Sequence, residues 1–177
     1  MEKIMRLTTL AAAGALALIS ISTSLSGQRP DDQINPRSMA LLQQGDAARA
    51  AGQLDRAAGL IETALAVDPR NRQGFIVLAE IARARGLPGQ SIRLYREALV
   101  LEPTDLRALR GQGEALVAKG AIVKAEENLG KIRKLCGTQC TDATALASAI
   151  AKGPPATATA QQSVTPTPPQ APTPARP

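Results

Sequence analysis

The sequence predicts an all-α protein built as a stack of helix–turn–helix units, on three observations. The first is an internal period of 34: "ALAVDPRN" at 64–71 returns as "ALVLEPTD" at 98–105, and Gly52, Gly86 and Gly120 keep the same interval. The second is the helical spacing of apolar residues within each unit, Leu60, Ile61, Ala64 and Leu65, then Leu94, Tyr95, Ala98 and Leu99. The third is punctuation. A glycine between antiparallel helices takes the positive φ that strains other residues, and Pro69 and Pro103 stop a helix because the ring removes a donor and clashes with the preceding turn. Asn71 and Asp105, one period apart, offer N-cap acceptors to the next helix, and Asn35 followed by Pro36 starts the first helix in the same way.

Residues 1–26 have the layout of a secretory signal peptide: Lys3 and Arg6, then "LTTLAAAGALALISI", then the small polar residues "STSLSG". The apolar run is roughly 15 residues, short of the ~20 that span hydrocarbon. Export is expected, with a cut near Ser26–Gly27 and a periplasmic destination. The alternative is an inner-membrane anchor formed by residues 7–21, and membrane association is expected only if this segment stays uncleaved. Without Lys3, Arg6 and Glu2 the net charge falls from +6 to +5, a modest excess. Residues 27–35 form a linker, and residues 36–152 remain as the folded domain.

Units fall at 38–71, 72–105 and 106–139. Small residues at Ala57, Ser91 and Ala125 let helices approach, and the bulkier Ile61, Tyr95 and Leu129 fill the space beside them. "GQLDRAAGLIETALAVDP" and "GLPGQSIRLYREALVLEP" resemble the tetratricopeptide repeat, whose period is 34 residues and whose units are helix pairs. The third unit, "GAIVKAEENLGKIRKLCG", departs from the pattern, with Ile132 at a small position and Gly137 where the proline belongs. In the first helices Leu41, Phe75 and Leu109 stand at the usual aromatic position, and Gly45, Ala79 and Gly113 at the small one. The resemblance covers 102 of 177 residues and implies a right-handed solenoid of three units. "TDATALASAIAKG" supplies the terminal helix such a stack needs: Leu146, Ala149 and Ile150 share one face, Thr141 is the expected N-cap, Gly153 the stop, and 142–152 the helix.

From Gly153 onward 8 of 25 residues are proline, so 153–177 is expected to be a disordered, polyproline-rich tail. It would reach roughly 75 Å at ~3.1 Å per residue. Just before the terminal helix lie the two cysteines, Cys136 and Cys140. In an exported chain they are expected to oxidise to a disulfide that pins the capping helix. A redox role, making the chain a thiol-disulfide-active periplasmic folding helper, is the alternative function, and free thiols are the third reading.

Enzyme chemistry is not expected. The chain has no histidine, which removes imidazole-based nucleophilic and most metal-based hydrolytic schemes, and two cysteines alone make no tetrahedral metal site. "GQGEALVAKG" lacks the order of a phosphate loop. Neither cofactor nor metal is expected, and Glu126 with Glu127 reads as solvated surface. Nucleic acid is not an expected partner: 15 of the 21 basic residues are arginine, but they are dispersed among acids, and only Phe75 and Tyr95 could stack a base.

The resemblance implies a non-enzymatic adaptor that binds a protein or peptide in a groove lined by the first helix of each unit. Carried over by position, the groove residues are Leu42, Asp46 and Arg49 in the first unit, Ile76, Glu80 and Arg83 in the second, and Arg107, Arg110 and Glu114 in the third. Leu42 and Ile76 would supply apolar contact between the charges, suiting a peptide of mixed charge with a hydrophobic anchor. The alternative is that each acid and the arginine three residues on form a local ion pair without a ligand. Leu42 and Asp46 stand where carboxylate-clamping relatives carry Lys and Asn, which argues against capture of a C-terminal carboxylate.

Overall fold

The computed structural model describes residues 33–155, so the expectations for the leader, its cut and the tail beyond Pro155 lie outside the described residues. Among the described residues there are seven helices and no strand: α1 Pro36–Ala50, α2 Leu54–Val67, α3 Arg72–Ala84, α4 Pro88–Leu101, α5 Leu106–Ala118, α6 Ile122–Cys136 and α7 Thr141–Lys152. All belong to the compact unit that begins at Ile34.

The starts of the first helices are set by their own side chains. Asn35 Oδ1 accepts from the Arg37 N–H at 2.9 Å, Asn71 Oδ1 from Gly74 at 3.2 Å, and Asp105 Oδ1 from Ala108 at 2.8 Å, satisfying donors that a helix start leaves orphaned. The turns inside each pair are made by Gly52, Gly86 and Gly120 at φ 74°, 73° and 79°. α2 and α4 end where Asp68 and Glu102 turn extended ahead of the prolines. The expected cap of the last helix needs correcting. Cys140 is the N-cap residue and Thr141 already lies inside α7; no side chain bonds a free N–H there, and Thr144 returns its hydroxyl to the Cys140 carbonyl at 3.1 Å.

Packing follows the small-against-large scheme. Ala57, Ser91 and Ala125 are buried with Ile61, Tyr95 and Leu129. Tyr95 fits only because Gly111 opposes it: a Cβ on Gly111 would stand 2.3 Å from the ring. Ile132, too large for the usual repeat, is buried with Leu109, Leu129, Ala143 and Leu146, because α7 offers an alanine at the contact. Cys136 and Cys140 pack against that cluster, their Cα atoms 5.9 Å apart, within disulfide range.

Curvature follows from which helices meet. α1 touches α3, α3 touches α5, and α5 touches α7, whereas α2, α4 and α6 make no comparable contact with one another. The side formed by the first helices is therefore concave and the side formed by α2, α4 and α6 convex.

Candidate functional site: the concave face

Seven of the nine residues assigned to the groove come together on the concave side, but not in the pairs their spacing suggests. Only Asp46 and Arg49 make the local pair, at 3.1 Å. Arg49 also reaches across to Glu80 at 2.7 Å, and Arg107 grips the same carboxylate from the other side with Nε and Nη2, both at 2.8 Å. Glu80 thus binds arginines of the first and third units rather than Arg83, three residues on along the same helix. Arg83 pairs instead with Glu114, which Arg110 also approaches at 3.4 Å, and Arg110 Nε donates to Asp142 of α7 at 2.7 Å. Two ladders result, Asp46–Arg49–Glu80–Arg107 and Arg83–Glu114–Arg110–Asp142, each running between helices.

Leu42 and Ile76 correct the expectation of an apolar anchor. They are 4% and 0% exposed, packed into the core clusters between helix pairs, so neither offers surface to a ligand. The physical reason is that a first helix is covered on both flanks by neighbouring helices, and the long charged side chains lie over what remains.

The two charge types occupy different depths. Glu80 and Glu114 side chains are 15% and 18% exposed, whereas Arg49, Arg83, Arg107 and Arg110 are 32–39% exposed. The Glu80 and Glu114 carboxylates sit below and the guanidiniums form the rim, where Asp46 is as open as they are. Tyr95, from the convex-side helix α4, lies within the field of Arg83, Glu80, Arg107 and Arg110; burial above all pushes its phenol up to about 12. Neither Asp142 nor Tyr95 was among the residues assigned to the groove. Asp142 carries no repeat signal, whereas Tyr95 opposite the helix-interior Gly111 was detectable, since an interior glycine costs about 1 kcal/mol relative to alanine unless packing requires it.

A second cluster guards the entry of the stack. Asp68 is buried, accepts the Asn35 N–H at 3.0 Å and binds Arg70 through Nε at 3.0 Å and Nη2 at 2.9 Å. The Arg70 hydrogen bonds, then the Asn35 N–H, hold its carboxyl far below the usual carboxylate range. Beside it Asn71 Nδ2 donates to Ser38 Oγ at 2.8 Å, and Ser38 Oγ donates to the Ala64 carbonyl at 2.7 Å. These bonds are structural. They tie the start of α1 to the end of α2 and to the loop that leads into α3.

Stacked helix pairs with a charged concave side and a terminal helix closing the last pair define a helical-repeat scaffold. The tetratricopeptide repeat model matches residues 42–105 and again 76–130, together just over half of the chain. The chain belongs to the tetratricopeptide repeat family. The tetratricopeptide domain of Sgt2 from Aspergillus fumigatus superposes with a TM-score of 0.61 at 23% identity, over 80% of this chain and 92% of that one. The first such domain of Spaghetti (RPAP3), solved with the HSP90 peptide SRMEEVD, gives 0.61 at 17% identity, over 66% and 91%. The Yersinia enterocolitica type III secretion chaperone SycD, solved with a peptide of the translocator YopD, gives 0.59 at 19%, over 64% and 89%. At these identities the likeness is one of fold. No curated protein matches the chain.

Proposed function

We propose that the chain is an exported, non-enzymatic scaffold of the bacterial cell envelope that binds a protein or peptide segment along its concave face. The observation that carries the binding reading is the rim of four arginines, Arg49, Arg83, Arg107 and Arg110, fixed over Glu80, Glu114 and Asp142. A guanidinium has five N–H donors, and the ladders use only some of them: Arg107 spends Nε and Nη2 on Glu80 and keeps Nη1. The spare donors suit the carbonyls and carboxylates of an extended segment. Because the arginines are already held, ordering them on binding costs little. Solved relatives of the fold carry bound peptides, which supports the same reading. Export rests on the N-terminal sequence alone, through its basic start, apolar run and small-residue exit.

In this reading Cys136 and Cys140 form a structural bridge. Both are half-buried against the α5–α7 core at the one junction that lacks a proline and a side-chain cap. The test of the concave site is the pair of variants Arg83→Met and Arg107→Met. Each leaves its carboxylate one remaining arginine, Arg110 or Arg49, and keeps an apolar stem, so the fold should survive. Crosslinking in cells of the full-length chain is expected to capture envelope proteins that either variant loses. Undiminished capture by both folded variants would remove the concave face from the function.

A further inference from the structure

The concave charges are paired with one another in the fold; another set is not. On the convex side, Arg93 and Arg96 of α4 and Lys124, Lys131, Arg133 and Lys134 of α6 are all exposed, and none forms an ion pair with a described residue. Only three exposed acids share these helices, Glu97, Glu126 and Glu127. By contrast α2 exposes Asp55, Arg56 and Glu62, and Asp55 is already bound to Arg85 at 2.6 Å.

Apolar exposure has the same address. The large hydrophobic side chains left most open among the described residues are Val100 at 71%, Val123 at 69%, Leu135 at 47% and Leu87 at 45%. Three lie on α4 and α6, the fourth in the turn that leads into α4, and none in the first unit. Scattered exposed hydrophobics are ordinary, but their coincidence with every unpaired cation of these two helices is not explained by packing. Arg133 and Lys134 complement the carbonyl end of α6, which does not account for Arg93, Arg96, Lys124 or Lys131.

We propose that the convex surface of α4 and α6 is a second docking face, for an acidic protein segment that carries apolar side chains. Charge complementarity sets the sign of the partner. The interleaved Glu97, Glu126 and Glu127 favour a protein over an anionic bilayer, because a polypeptide can leave gaps opposite them and a uniformly negative surface cannot. The face also lacks the aromatic side chains that seat a protein at a lipid interface, since Tyr95 of α4 is buried and Phe75 belongs to α3. Its position leaves the concave face free, so the chain can join two partners.

The experiment places a photoreactive amino acid at Val100 or Val123 in the full-length chain, with Ala84 beside Arg83 as the concave control, and irradiates the cells that make it. The expected result is an adduct from the convex positions whose crosslinked peptide is net acidic. The double changes Lys131→Glu with Lys134→Glu, and separately Arg93→Gln with Arg96→Gln, should each lower that adduct about tenfold, the size of one close charge coupling. Adducts from Ala84 and the melting temperature should not change. Adducts to lipid alone, to a neutral or basic segment, or undiminished by both double changes would overturn the proposal. Adducts from Ala84 alone would overturn it and leave the concave site standing; none from any position would count against both.

Discussion

The loop after α2 and the loop after α6 do the same task with different chemistry. Each turns the chain from the second helix of one unit into the first helix of the next element. After α2, Asp68 collects Arg70 and the Asn35 N–H, Asn71 caps α3, and its amide reaches Ser38 on α1. After α6 there is a glycine at φ 83°, no side-chain cap, and two cysteines packed on the core. The first junction is held by directional polar bonds that fix register. The last is held by apolar burial of Leu146 and Ala143, by Arg110 on Asp142, and in our proposal by a covalent bridge. A repeat can lose its consensus loop when a terminal helix takes over the packing.

The largest expected effect breaks the middle of the stack, which both loops depend on. Gly111→Ala drives a methyl into the Tyr95 ring, and because a ring at 1% exposure has little room to move, it should cost about 3 kcal/mol. Thermal melting would show a fall of many degrees. Asn71→Ala removes a cap and the bond to Ser38 together, and should cost roughly 2 kcal/mol by urea titration; a loss under half of that would mean that the polar junction is no stronger than an ordinary cap.

Reducing Cys136–Cys140 should cost about 2 kcal/mol, because a five-residue loop constrains the unfolded chain only slightly. Hydrogen exchange should then rise in α7 and leave α1–α4 protected, which would mark the bridge as local to the cap. No change on reduction would return the cysteines to a role other than stapling.

Acid tests the first junction. A folded carboxyl held below its unfolded value contributes stability that is present above the unfolded pKa, about 3.9 for Asp, and is lost as pH falls below it. Asp68 is such a group. Asp68→Asn should therefore lower stability at pH 7, by about 1–2 kcal/mol, and should flatten its decline below about pH 4; an unchanged acid limb would place the acid sensitivity elsewhere. The smallest effect is expected from Arg83→Met, at most ~1 kcal/mol for a half-exposed pair.

Much of the fold was legible because its signals are local. Asn35, Asn71 and Asp105 are caps within three residues of the donors they satisfy, and the turn glycines answer a backbone requirement at their own positions. Thr141 misled because a threonine before a helical run reads as an N-cap whether or not the helix begins one residue earlier. Of the concave site, the positions of Asp46, Arg49, Glu80, Arg83, Arg107, Arg110 and Glu114 were legible from the period, while Leu42 and Ile76 were misread as surface.

By itself the sequence determined the helices, the glycines and caps between them, the 34-residue stacking and the family, since each follows from spacing and capping along one stretch of chain. Only the tertiary structure decided which charges meet. Arg83 lies within reach of Glu80 along α3, yet it binds Glu114 on α5, while Glu80 is taken by Arg49 and Arg107. The choice depends on the distance between helices, which is set by Gly111 against Tyr95 and by similar contacts far apart in sequence. The same distances bury Leu42 and Ile76, bring Asp142 to Arg110, and leave the cations of α4 and α6 without an ion-pair partner among the described residues.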